Sequence, residues 1–84
     1  RMAQEEPMMD IVVPDLGEVG EVKLVRWLVA AGEEVEAGEA VAEVEAEKAV
    51  FVVEAPVAGV LDRIIVGPGG IARPGEAIAR LRAG

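Results

Sequence analysis

The sequence predicts an all-β domain, a flattened barrel or sandwich of two short-stranded antiparallel sheets with internal two-fold pseudo-symmetry. Three observations predict it. The 84-residue chain falls into short runs rich in Val, Ile and Leu. The breaks between most of these runs carry Gly or Pro, residues that supply turn conformations. The chain also matches itself when shifted along its own length, the mark of a structural repeat.

Taken in order, the strands are expected at Ile11–Val13, Leu24–Val29, Val41–Val44, Val50–Val53, Val60–Val66 and Ile78–Leu81. Each is short, branched and apolar, as strands are. Between them stand Gly17, Gly20, Gly32, Gly38, Pro56, Gly59, Pro68-Gly69-Gly70 and Pro74-Gly75. Ala and Glu give a competing helix signal in Glu33–Glu47, but Gly38 and the interspersed valines weigh against one continuous helix.

The repeat has an offset of 37. Leu24-Val25-Arg26-Trp27-Leu28-Val29 lies over Leu61-Asp62-Arg63-Ile64-Ile65-Val66, and Gly38-Glu39-Ala40-Val41-Ala42 lies over Gly75-Glu76-Ala77-Ile78-Ala79. Upstream the offset becomes 42, with Pro14-Asp15-Leu16-Gly17 over Pro56-Val57-Ala58-Gly59. The difference is a five-residue insertion around Glu18-Val19-Gly20-Glu21-Val22, expected to form a surface loop. Each half then reads strand, turn, strand, turn, strand, and two such halves pack their sheets face to face.

One break differs from the rest. Glu45-Ala46-Glu47-Lys48-Ala49 has neither Gly nor Pro, yet apolar strands on both sides require a turn there. The repeat makes it the junction of the halves, and its counterpart one repeat later is the chain end beyond Gly84. The turn is therefore expected at the end of the domain away from the termini. Residues 1–9 read as a flexible tail or cloning remnant, 10–82 as the domain, and 83–84 as the start of a linker.

Composition removes most chemistry. The chain has no Cys, His, Ser, Thr, Tyr or Asn. Of the usual nucleophiles only Lys and carboxylates remain. A zinc site normally uses Cys or His, so no metal site is expected. A net charge of −8 argues against nucleic acid and against an anionic membrane surface. No apolar run approaches the ~20 residues that span a bilayer. Seven acids crowd into Glu33–Glu47 without a base among them. They form either a solvated acidic face or a docking surface for basic partners.

The two lysines are Lys23 and Lys48. Lys23 opens a strand and reads as a solvated edge residue. Lys48 sits in the turn, with Glu45 and Glu47 just before it in the chain. On chemistry alone it is either an ordinary surface lysine or a target for modification by another protein.

At these positions the sequence resembles the lipoyl domains of 2-oxo acid dehydrogenase complexes, from about Asp10 to Leu81. The likeness includes Val13-Pro14-Asp15-Leu16-Gly17-Glu18, then Trp27 followed by Gly32-Glu33-Glu34-Val35, close to W-x-V-x-x-G-D-x-V. It continues through Glu43-Val44-Glu45-Ala46-Glu47-Lys48-Ala49, close to E-V-E-T-D-K-A, and Val53-Glu54-Ala55-Pro56-Val57-Ala58-Gly59. The order and spacing of these pieces together are specific. The resemblance implies a barrel-sandwich hybrid and a carrier rather than an enzyme. It implies lipoate in amide linkage on Lys48, with Glu45, Ala46, Glu47 and Ala49 as flanking recognition residues. The parent chain would be a dihydrolipoyl acyltransferase.

The resemblance also implies partners. A thiamine-diphosphate-dependent 2-oxo acid decarboxylase would load the arm, an acyltransferase core would unload it to coenzyme A, and dihydrolipoyl dehydrogenase would reoxidise it. A lipoate ligase or lipoyl transferase would attach it. Glu18, Val19, Gly20 and Glu21 would help the decarboxylase recognise the domain, itself expected to be monomeric. The setting implied is cytoplasmic in a bacterium and the mitochondrial matrix in a eukaryote. Three departures stand out: Ala46 where the family has Thr, Glu47 where it has Asp, and Gly17-Glu18-Val19-Gly20-Glu21 where it has G-E-G-x-x-E.

Other readings share the fold class. Biotin carriers flank their lysine with methionines, whereas here the flanks are Glu47 and Ala49 and the methionines are Met2, Met8 and Met9. A glycine-cleavage carrier is normally longer. An interaction domain that has lost its cofactor, and a stand-alone enzyme using surface carboxylates, complete the alternatives.

Overall fold

The computed structural model describes residues 7–84. Its eight strands run β1 Met8–Val12, β2 Val22–Trp27, β3 Glu34–Val35, β4 Ala40–Ala46, β5 Ala49–Glu54, β6 Gly59–Ile64, β7 Ile71–Ala72 and β8 Ala77–Ala83. They form two antiparallel four-stranded sheets, ordered β1-β8-β6-β3 and β5-β4-β2-β7. Among the described residues there is no helix, so the Ala- and Glu-rich stretch at 33–47 folds as turn and strand.

All six expected strands are present with shifted ends. Two more, β3 and β7, have only two residues each. Each half is thus four strands rather than three. Pairing also reaches beyond the expected boundaries. Met8 and Met9 pair with Arg82 and Leu81, and the Ala83 amide donates to the Pro7 carbonyl at 2.9 Å. The paired domain therefore begins before Asp10 and runs past residue 82, because β8 is long enough to register both. The remainder of the expected tail, residues 1–6, lies outside the described residues.

The pseudo-symmetry holds at the level of individual bonds. Lys23, Leu24, Arg26 and Trp27 face Glu45, Val44, Glu43 and Ala42. Shifted by 37, Val60, Leu61, Arg63 and Ile64 face Arg82, Leu81, Arg80 and Ala79, with the same register break. The turns repeat too. Gly32 donates to the Leu61 carbonyl at 2.7 Å and Gly69 to the Leu24 carbonyl at 2.8 Å, both glycines having left-handed φ.

The core lies between the sheets. It is built from alternate strand positions, including Ile11, Leu24, Val41, Val44, Val53, Leu61, Ile78 and Leu81, with no buried charged residue among those described. Trp27 packs against it half-buried, and its indole Nε1 donates to the Val66 carbonyl at 2.9 Å. That bond links a residue of the first half to one of the second, away from the turn that joins them in the chain. From it β2 leads back to the Lys48 turn and β6 leads back to the termini. The two ends therefore lie on opposite sides of the domain.

Candidate functional site

The β4–β5 hairpin closes on the pair Ala46↔Ala49, so its loop is only Glu47 and Lys48. Two-residue loops match the twist of the flanking strands when they adopt primed turns, which demand positive φ. Glu47 supplies it with φ 57°, the only non-glycine residue with positive φ among those described, and Lys48 does not share it. For an L-residue the conformation costs roughly 1–2 kcal/mol. Asp and Asn adopt it more readily than Glu. The departure from Asp at this position is therefore conformational as well as electrostatic.

The turn leaves Lys48 exposed to solvent. Among the described residues no hydrogen bond or ion pair restrains its ammonium group. Glu45, Glu47 and Ala49 are exposed beside it. Ala46 is not: at 3% exposure it belongs to the core. Of the four expected flanking residues it alone is not displayed to a partner, because its alternate position on β4 turns the methyl inward. An exposed, unrestrained primary amine on a rigid hairpin fits a group joined through an amide.

The inserted loop reaches the same end of the domain. Lys23, at the start of β2, pairs with Glu45, so the loop that precedes β2 meets the sheet at the Lys48 end of β4. Val22 itself belongs to β2 and is 2% exposed, so the loop ends at Glu21. Asp15 Oδ1 accepts from the Gly17 amide at 3.0 Å and starts the loop. Val19, with Leu16, is half-buried against the core and anchors it, while Glu18, Gly20 and Glu21 face solvent.

The acidic run divides by function. Glu33, Glu39 and Glu76 accept from the amides of Ala30, Glu36 and Arg73 at 2.7, 2.9 and 2.8 Å. In a chain without Ser, Thr or Asn, glutamates close the turns. Glu43 pairs across the strand with Arg26 at 3.0 Å. Of the seven acids in Glu33–Glu47, Glu34, Glu36, Glu45 and Glu47 make no such bond among the described residues. The latter two flank Lys48. Sequence reasoning missed the turn-closing role, although each glutamate lies three residues beyond its donor.

A cleft of about 360 Å³ opens at the other end, lined in part by Glu34, Glu36, Gly59 and Arg82. It lies beside the termini. The repeat relates Ala58 on its rim to Glu21, so the five inserted residues fall at the corresponding place near the turn.

A family described as biotin-requiring enzyme, the Biotin_lipoyl family, matches residues 9–81. The dihydrolipoyllysine-residue acetyltransferase component of the pyruvate dehydrogenase complex of Staphylococcus epidermidis is 33% identical over 72 residues, covering 84% of this chain and 17% of that protein. Its Staphylococcus aureus namesake is 35% identical over the same length and shares. The chain thus spans about one-sixth of these relatives.

Among solved structures, the lipoyl domain of the 2-oxoglutarate dehydrogenase complex from Azotobacter vinelandii superposes with a TM-score of 0.73 at 28% identity. That match covers 90% of this chain and 98% of that one. Kluyveromyces lactis urea carboxylase gives a TM-score of 0.76 at 24% identity, covering 96% of this chain and 7% of that one. At that identity the likeness concerns the fold alone.

Proposed function

The chain belongs to the Biotin_lipoyl family, carriers of covalently attached lipoate or biotin, and from this premise we propose that it carries lipoate on Lys48. The observation that carries the proposal is the two-residue hairpin, which lifts one unrestrained lysine into solvent between Glu47 and Ala49. The flanks lack the methionines of biotin carriers. The acetyltransferase names of the relatives and the lipoyl-domain structure also support lipoate over biotin.

When bound, lipoate supplies reversible acyl and electron carriage through its dithiolane. The protein supplies the mount. The ladder from Ala40↔Glu54 to Ala46↔Ala49 gives the arm a rigid base. The exposed tip lets the arm enter partner clefts, and amide formation removes the Lys48 charge next to Glu45 and Glu47. A parent acyltransferase chain would tether the domain near its partners and raise its effective concentration there. Those partners would be a thiamine-diphosphate-dependent 2-oxo acid decarboxylase, an acyltransferase core and dihydrolipoyl dehydrogenase. The exposed Glu18, Gly20 and Glu21 would contribute to recognition by the first.

Intact-mass analysis after incubation with a lipoate ligase, ATP and lipoate tests this. One lipoyl addition is expected on the wild type and on Lys23→Ala, and none on Lys48→Ala. Modification surviving Lys48→Ala, or biotin taken up in preference with a biotin ligase, would overturn it.

A further inference from the structure

We infer that Glu47 is a positioning residue for the modification of Lys48, and that it acts through its left-handed backbone rather than its carboxylate. This rests on the reading of Lys48 as the lipoate site. The hairpin has two residues in which to reverse direction, and Glu47 alone provides the positive φ that this requires.

The strands on either side leave no slack. Val53 is buried and Phe51 is half-buried against the core, whereas Val50 and Val52 on the opposite face are exposed. Lengthening the turn by one residue at the expense of β5 would slip its register and reverse both sets. Ala46 is equally fixed from the β4 side, because its methyl lies in the core. The direction in which Lys48 leaves the hairpin therefore depends on the φ of the residue before it. A ligase must bring this one amine to its activated lipoate, so it reads that direction. The Glu47 carboxylate makes no hydrogen bond or ion pair among the described residues, so it contributes nothing to holding the turn.

The test separates charge from conformation. Glu47→Gln removes the charge and keeps the conformational preference. Glu47→Asn and Glu47→Gly remove the charge and ease the left-handed φ. Glu47→Val opposes it. Each is assayed with a lipoate ligase, the domain being the varied substrate, and kcat and KM are separated at a temperature below every melting transition. Gln, Asn and Gly are expected within about twofold of wild type or faster. Val is expected to lose at least tenfold in kcat/KM while remaining folded by circular dichroism.

A fivefold or greater loss in Gln, Asn and Gly alike would overturn the inference in favour of the charge, and that trio decides the matter even where Val fails to fold. A folded Val variant modified at the wild-type rate would also overturn it. So would an intraresidue amide–Hα NOE at Glu47 of the strength seen for negative φ, a measurement independent of any modification. A wild-type domain that takes no lipoyl group would instead refute the functional reading, and it is recognised before any variant is compared.

Discussion

Replacing Gly59 with alanine should destabilise the domain by about 2 kcal/mol without touching its carrier site. Gly59 opens β6 and is paired on both sides, with Ala83 of β8 and Val35 of β3. A Cβ built there meets the Arg82 carbonyl oxygen at 2.3 Å and Ala83 Cα at 3.0 Å. Contacts below 3.0 Å are essentially unseen for real Cβ atoms, so the backbones must part by at least about 0.7 Å. Both obstructing atoms are main-chain, and movement away from β8 presses β6 into β3. Overpacking of this kind costs ~1–3 kcal/mol. For a domain of 60–100 residues each kcal/mol lowers Tm by roughly 4–8 °C, so a fall of about 8–16 °C is expected.

Thermal unfolding followed by circular dichroism measures the change. Gly67→Ala is the control, since nothing lies within 4 Å of its Cβ and its φ is not left-handed. It should stay within about 0.5 kcal/mol of wild type. A Gly59→Ala domain melting within 3 °C of wild type would refute the reasoning, because the sheet would then absorb the methyl without strain. Gly59 lies at the end with the termini and Lys48 at the other. Modification of the folded variant should therefore proceed at the wild-type rate.

Other changes probe the remaining elements. Gly32→Ala forces an L-residue to φ +96° and should cost about 1–2 kcal/mol in urea unfolding, whereas Gly20→Ala, with open space and no left-handed φ, should cost nothing measurable. Leu24→Ala empties a buried core position and should cost about 3 kcal/mol by calorimetry. Trp27→Phe removes the indole donor from the Val66 carbonyl and should cost about 1 kcal/mol. Reversing both loop charges, Glu18→Lys with Glu21→Lys, should leave stability unchanged and slow acyl loading by a partner decarboxylase. The difference should shrink as salt is raised, since exposed charges act through screened fields; a salt-independent rate would count against the loop as an electrostatic contact.

Much of the fold was legible because repeats and alternation are local signals. The offset of 37 anticipated two equivalent halves, and the structure shows the equivalence in the pairings of β2 with β4 and of β6 with β8. The two-residue strands were not legible, since Glu34–Val35 and Ile71–Ala72 are too short to show a period. They exist because the neighbouring strands offer unpaired edges. Ala46 was legible by alternation, since it stands two residues beyond Val44 and shares its inward face between the exposed Glu45 and Glu47.

The sequence by itself determined an all-β repeat, two halves joined at a turn, and one lysine on that turn in a chain nearly devoid of other nucleophiles. Those properties follow from residue type and spacing. Only the tertiary structure decided that the turn has two residues, that Glu47 bears its left-handed φ, and that three glutamates close turns. The reason is that a hairpin's length is set by register, and register is set by which side chains the opposing sheet buries.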